Sequence, residues 1–280
     1  MNIGIIGVGL IGGSMALKLK EKGFVNKVIG IDKNYEHLKE AKSFGIIDSA
    51  LPIEDAIGKC DVVIIATPVD SASKILLKVL DLSMEKQVII DVGSTKDEIV
   101  KSVKNHPLRS RYVATHPMWG TENSGPKSAQ KDAFTGRAAV ICNKEESSED
   151  AIKLVEKIYQ TLEMKLLYMN SEDHDIHTAY ISHISHITSY ALANTVLEKE
   201  REEDTIFQLA STGFSSTVRL AKSHPEMWVP IFKQNRENVL DVLNEHISQL
   251  RKFKSSLEKE NYKLLEELIL NANKIRSILK

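Results

Sequence analysis

Short, unalternating apolar runs recur through the first 168 residues. Asn2–Ile6, Lys27–Ile31, Asp61–Ala66, Gln87–Asp91, Tyr112–Thr115, Ala138–Ile141 and Lys165–Tyr168 each read as a strand. Asp61–Ala66 and Gln87–Asp91, unbroken and β-branched, suit strands covered on both faces, as in a parallel sheet. Helical stretches alternate with them. One opens at Leu10, one runs from Tyr35 to Phe44 and is closed by Gly45, one follows Lys96 to about Asn105, and one spans Ser148–Leu162. The alternation predicts an α/β, Rossmann-type doubly wound sheet over residues 1–168. Beyond it no convincing strand remains. Ser171 is positioned to cap a helix whose first turn carries Glu172 and Asp173, and Ile176–Leu197, Met227–Leu250 and Tyr262–Leu279 read as further helices. The second half, 169–280, is therefore expected to be an all-α domain. Helices apolar on more than one face suit docking onto a second copy, so a homodimer is expected.

The first strand leads into Gly7-Val8-Gly9-Leu10-Ile11-Gly12, a helix opens on that run, and the second strand ends in Asp32. Strand, glycine turn, helix and a strand-end acid together form the dinucleotide-binding βαβ pattern. Gly7 allows the tight turn, Gly9 keeps side chains off the pyrophosphate, and Gly12 lets the helix pack against the strand. The free N–H groups of the first helical turn, at Leu10 and Ile11, then face the phosphates. A carboxylate at Asp32 accepts from ribose hydroxyls and repels a 2′-phosphate, which points to NAD rather than NADP; Lys33 beside it softens that repulsion. Thr67 and Pro68 follow the third apolar run. Ligands bind beyond the carboxyl ends of such strands, so this turn is expected to line the nicotinamide side of the cleft.

Composition changes little in this picture. The chain has 280 residues, 42% hydrophobic and 27% charged, with a formal net charge of −1. Nothing in that balance points to nucleic acid. No apolar run approaches the roughly 18–20 residues that span a bilayer. The apolar N-terminus lacks the basic flank of a signal peptide and is interrupted by glycine. Cys60 and Cys142 form neither a disulfide framework nor a zinc site. A cytoplasmic protein without membrane or nucleic-acid partners is expected.

Four features carry candidate chemistry. His116 stands at a strand end, suited to take a proton from a substrate hydroxyl while the adjacent carbon gives hydride to NAD; the position equally suits a ring that only pairs with loop backbone. Ser94, in Gly93-Ser94-Thr95-Lys96, sits at a neighbouring strand end, where it can orient that hydroxyl or cap a helix. His174, His177, His183 and His186 form a histidine group without carboxylate or thiol at familiar ligand spacing, so no metal is expected; some should face an anionic substrate and others the core. A glycine turn at Gly213 is expected to lead into a helix carrying Arg219, which offers a guanidinium to a carboxylate or to a surface ion pair, and Trp228 suits either the wall of a ring-binding pocket or the core.

These residues together resemble the prephenate/arogenate dehydrogenase family of tyrosine biosynthesis. The resemblance runs through Gly7–Ser14, Gly93–Lys96, His116–Gly125, Ser182–His186, Gly213–Arg219, Pro225–Trp228 and Asn235-Arg236. It implies oxidative decarboxylation of a cyclohexadienol bearing a ring carboxylate and a three-carbon acid side chain. His116 would be the base and Ser94 would hold the same hydroxyl. Arg219 and His186 would bind carboxylates, with Ser182 and His174 nearby, Trp228 at the wall, and Thr121 and Glu122 at the cleft mouth. Two positions depart from the family pattern. Ser215 and Ser216 replace a frequent basic–acidic pair, which removes one partner of a gate to Glu122, and Ser185 replaces a frequent proline. Ending at Lys280, the chain is expected to carry neither an appended regulatory domain nor a fused chorismate mutase.

The motif residues do not separate prephenate from arogenate. β-Hydroxyacid dehydrogenases usually place a lysine on the second-domain helix, and Ile176–Leu197 has none. A non-catalytic NAD-binding dimer would use only the first half and would leave His116 and Arg219 without a purpose.

Overall fold

The computed structural model describes residues 1–203 and 205–278. Its first 169 residues form one eight-stranded sheet: β1 (Asn2–Ile6), β2 (Lys27–Ile31), β3 (Ser49–Ala50), β4 (Val62–Ile65), β5 (Val88–Asp91), β6 (Tyr112–Pro117), β7 (Ala138–Cys142) and β8 (Lys165–Met169). The spatial order is β3-β2-β1-β4-β5-β6-β7-β8. Six strands are parallel; β7 runs antiparallel to β6, and β8 follows β7 in parallel. The expected seven strands are present, and β3 is an addition too short for an apolar run to reveal. The reversal at β7 has a local cause. A helical crossover is what returns a chain in parallel, and residues 118–137 contain only a single short 3₁₀ turn, Pro126–Ser128.

Helices α1 (Leu10–Glu21), α2 (Tyr35–Ser43), α3 (Ile53–Ala56), α4 (Val69–Leu82), α5 (Asp97–Ser102) and α6 (Glu149–Thr161) connect the strands. Side chains along a strand alternate between faces, so each strand feeds two cores. Val62 and Ile64 of β4 join Ile3, Ile5 and Ile90 under α1 and α6. Val63 and Ile65 join Ile89, Tyr112 and Ala114 under α4 and α5. Cys60 and Cys142 belong to the second core, where burial pushes their thiols up to about 11 and about 12.

After β8 the described chain is helical: α7 (Ser171–Thr178), a π-turn over Ala179–His183, α8 (Ile184–Glu203), α9 (Thr212–Thr217), α10 (Pro225–Gln234), α11 (Arg236–Glu258) and α12 (Tyr262–Ala272). Three expectations change. The cap of α7 is Asn170, whose side chain accepts from the Asp173 amide at 2.7 Å, one residue before the expected Ser171. The helix expected over Met227–Leu250 is two helices meeting at Asn235, whose side chain turns inward to the Asp175 carbonyl at 2.6 Å. The last helix ends at Ala272 and gives way to a 3₁₀ turn; Leu279 lies outside the described residues.

His183 sits in this helical half at 1% exposure. Its ring meets Trp228 and Phe232 edge-on at 5.9 and 6.3 Å, and its Nδ1 accepts from the Asn235 side chain at 3.2 Å. Among the described residues no helix is long and apolar enough to cross a membrane.

Two outcomes test this packing. A Cβ at Gly7 would lie 2.4 Å from the Ala66 carbonyl oxygen, and Gly7 has φ of +94°. Gly7→Ala is expected to destabilise the protein by about 2 kcal/mol or more, read by chemical denaturation. Burial lowers the His183 pKa from 6.5 to about 4. The unfolded chain therefore takes up a proton near pH 6.5 that the native ring refuses until about pH 4, so stability falls as pH drops through that window. His183→Gln should lessen the stability lost between pH 7 and pH 5 by about 2 kcal/mol.

Candidate active site

The strand order reverses between β1 and β4, and the loops beyond their carboxyl ends form a crevice. Register pairs Ile6 with Ile65, which sets Gly7 against Ala66. A Cβ on Gly12 would lie 2.3 Å from the Gly7 carbonyl oxygen, so α1 approaches β1 as closely as backbone allows. Gly9 differs: the nearest atom to a Cβ there is the Gly125 nitrogen at 3.9 Å, leaving room above it. No side chain caps α1, so the amides of its first turn, from Leu10 and Ile11, keep their donor capacity. Asp32 accepts from the Val8 amide at 3.1 Å and the Asn34 amide at 2.8 Å, one on each oxygen, and each oxygen retains a lone pair. Past β4, Thr67 Oγ1 is buried without a protein partner among the described residues, and Pro68 is the N-cap position of α4. An uncapped helix end, open space at Gly9 and an orphaned hydroxyl fit a dinucleotide.

His116 lies within β6, opposite Val140 of β7. Its Nδ1 is 2.8 Å from Nε2 of His174, and His174 Nδ1 is 2.8 Å from Oδ1 of Asp175. Burial holds the His116 ring well below its ordinary pKa, and the nearby His174, Lys96 and His183 act in the same direction. The ring is therefore neutral at pH 7. Burial also lowers His174, opposed by its hydrogen bond to Asp175. Ser94 is half-buried in the turn after β5; the β5–β6 register, Asp91 opposite Ala114, brings Ser94 and His116 to the same edge. Neither Ser94 nor Thr95 is the N-cap residue of α5. The carboxylate of Asp175 takes the amides of Lys96 and Asp97 at 2.8 and 3.0 Å instead, and Thr95 donates to Gln234 at 2.5 Å. Lys96, fully buried, pairs with Asp91, which also accepts from the Tyr112 hydroxyl at 2.7 Å.

His186 stacks on Trp228 with centroids 3.4 Å apart, and its Nδ1 donates to the Ser182 carbonyl at 3.0 Å. Burial lowers its pKa. Trp228 is 6% exposed and its indole N–H has no partner among the described residues. Gly213 lies inside α9 and Arg219 begins the 3₁₀ turn after it, rather than riding a helix that follows a glycine turn. The Arg219 side chain is 54% exposed and meets Glu122 at 3.3 Å. The backbone amide of Glu122 itself and the Arg219 guanidinium both hold that carboxyl below its usual range. Thr121 accepts from the Asn123 amide at 3.2 Å. Of the four histidines, His177 is exposed and the other three are buried; no group of side chains suited to a metal occurs among the described residues.

The structure thus joins His116 to His174, Ser182 and Trp228 to His186, and Glu122 to Arg219. Sequence reasoning missed Asp175, Lys96 with Asp91, and Gln234. Asp175 adjoins two acids that the helix dipole already accounted for, so nothing in its spacing marked it as buried.

The family model described as prephenate dehydrogenase, nucleotide-binding domain, matches residues 15–168, and that described as prephenate dehydrogenase, dimerization domain, matches residues 170–271. The chain is 30% identical to a prephenate dehydrogenase of Bacillus subtilis over 92% of its length and 70% of the relative's. It is 28% identical to a cyclohexadienyl dehydrogenase of Zymomonas mobilis, covering 100% of this chain and 96% of the relative. A crystal structure of prephenate dehydrogenase from A. aeolicus, in complex with hydroxyphenyl propionate and NAD+, superposes with a TM-score of 0.91 at 31% identity, covering 99% of this chain and 98% of that one. Two adjoining family matches cover His116 with most of the sheet and nearly all of the helical half, and the chain belongs to the prephenate dehydrogenase family.

Proposed function

We propose that this protein is an NAD-dependent prephenate dehydrogenase of tyrosine biosynthesis, carrying out oxidative decarboxylation to 4-hydroxyphenylpyruvate. The observation that carries the reading is the neutral His116 imidazole at the carboxyl edge of the sheet. Its Nδ1 is held by His174, and its Nε2 has no protein partner among the described residues. In this reading 1–168 is the dinucleotide domain and 169–280 the substrate and dimerisation domain; the last strand ends at Met169 and α7 begins at Ser171.

Gly7, Gly9 and Gly12 shape the turn, and the amides of Leu10 and Ile11 bind the pyrophosphate. Asp32 takes the ribose hydroxyls, and Thr67 with Pro68 lines the nicotinamide side. NAD, held by these residues, would supply the acceptor for the hydride at C4 of the substrate. His116 Nε2 takes the C4 hydroxyl proton, with Ser94 orienting that hydroxyl. The C1–carboxylate bond then breaks, CO₂ leaves, the bonding pair enters the ring as the C4 carbonyl pair moves onto oxygen, and that oxygen takes a proton to give the phenol. A general base of this kind contributes about 10²–10⁴-fold.

Arg219 binds a substrate carboxylate bidentately and exchanges its contact with Glu122 for it; Thr121 shares that mouth. His186 has Nδ1 committed to Ser182, so it donates from Nε2 only when protonated. An anion beside it favours that form. Trp228 holds the ring in place by stacking.

Exposed apolar side chains on the helical half, Ile181, Leu250, Leu257 and Leu270 among them, support a homodimer, as does the description of the second family match. Two buried, unpaired thiols support a cytoplasmic setting.

NADH formation with prephenate and, in parallel, arogenate, each with NAD and NADP, tests the reading. Turnover with prephenate and NAD is expected; the kcat/KM ratio measures the side-chain preference. Absence of turnover with either substrate overturns the reading. His116→Asn should lower kcat by about 10²-fold or more with little change in KM. Arg219→Ala should instead raise KM by about tenfold or more, the loss of one charge-assisted contact. Light scattering should give twice the monomer mass; a monomeric mass removes the dimer.

A further inference from the structure

We propose that His174 and Asp175 form a positioning relay behind His116, fixing the tautomer whose Nε2 carries the lone pair. The inference rests on His116 being the base. It also moves His174 from the substrate pocket, where the family resemblance put it, to a place behind the reacting group.

The polarity of the chain follows from the hydrogen bonds. A carboxylate only accepts. Asp175 Oδ1 takes the Lys96 amide at 2.8 Å and faces His174 Nδ1 at 2.8 Å, so that nitrogen carries hydrogen. Burial keeps the His174 ring neutral, and its Nε2 is then an acceptor. His116 Nδ1, 2.8 Å away, must donate to it, and the lone pair of His116 falls on Nε2. One carboxylate thus decides which nitrogen of a ring two residues along the chain of contacts is basic.

The relay is also held rigidly. Asp175 Oδ2 takes the Asp97 amide at 3.0 Å, so three donors fix the carboxylate. His174 and Asp175 are 1% and 3% exposed, which leaves no surface for substrate. The nearby cation, Lys96, is neutralised by Asp91, and His183 is held by Asn235. When Nε2 of His116 accepts the substrate proton, the imidazolium keeps its Nδ1–H on His174. The Asp175 charge stands one ring further back. No bond beyond the substrate's own breaks, and orientation of the base by a second and third group is the general logic of such chains.

NMR of the ring nitrogens in the intact protein, assigned with the His116→Asn and His174→Gln variants, tests the tautomers directly. Hydrogen on Nδ1 of both rings is expected; hydrogen on Nε2 of His116 overturns the relay. Kinetics supply the second readout. Gln keeps an acceptor for His116 and a donor for Asp175, whereas Phe keeps neither. His174→Phe should lower kcat by about 10–100-fold with prephenate KM within about twofold, and His174→Gln should recover most of it. Equal losses in both variants, or a loss confined to KM, overturn the relay. Turnover lost in His116→Asn together with an Nε2–H tautomer removes the relay alone. Turnover retained in His116→Asn removes the base assignment, and the relay's purpose with it.

Discussion

The carboxylate of Asp175 is the constraint on which the site depends. It projects from the first turns of the helical half and takes two backbone amides at the start of α5, which otherwise have no acceptor. A helix N-terminus on the sheet side is thus capped from the other half of the molecule, and Oδ1, which takes the Lys96 amide, also anchors His174. A buried carboxylate with fewer donors would carry a large desolvation cost, so the amides of α5 and the His174 ring must arrive together for any of them to be stable. Asn235 ties the far side by donating to the Asp175 carbonyl and to His183, which is why one long helix is interrupted there.

A second buried set supports the sheet edge. Lys96 and Asp91 are both essentially without solvent exposure, and Asp91 also takes the Tyr112 hydroxyl and the Gly93 amide at 2.9 Å. Tyr112 is correspondingly held far above the usual phenol pKa by burial and by that carboxylate. Ion pairs in such places seldom stabilise more than a well-packed apolar group of the same size. What they do here is fix the turn carrying Ser94 and Thr95, since the backbone on both sides of it is tied to a charge that cannot move without being left unpaired.

The apolar frame explains why the edge can hold this much polarity. Every central strand feeds side chains to both faces, and the cores under α1 with α6 and under α4 with α5 are built of apolar side chains. Polar groups concentrate where the strands end, and the crevice opens there. His186 and Trp228 continue this arrangement into the helical half as a stacked pair.

The sequence by itself determined the alternating half, the dinucleotide crevice and the helical half, because those rest on local periodicity and on a glycine spacing contained in one short strand–turn–helix segment. It also singled out His116 and Ser94 as polar residues at strand ends, Arg219 and Trp228 as a guanidinium and an amphipathic ring in the helical half, and His186 as one of a group of histidines. Only the tertiary structure decided the rest. The antiparallel turn of β7 depends on a long loop without helix, the break at Asn235 on a side chain reaching a distant carbonyl, and the pairing of Arg219 with Glu122 on elements 97 residues apart. Asp175 is the clearest case. In sequence it is one more acid near a helix start; its partners at Lys96 and Asp97 are 79 and 78 residues away, and no local pattern encodes a contact made across that distance.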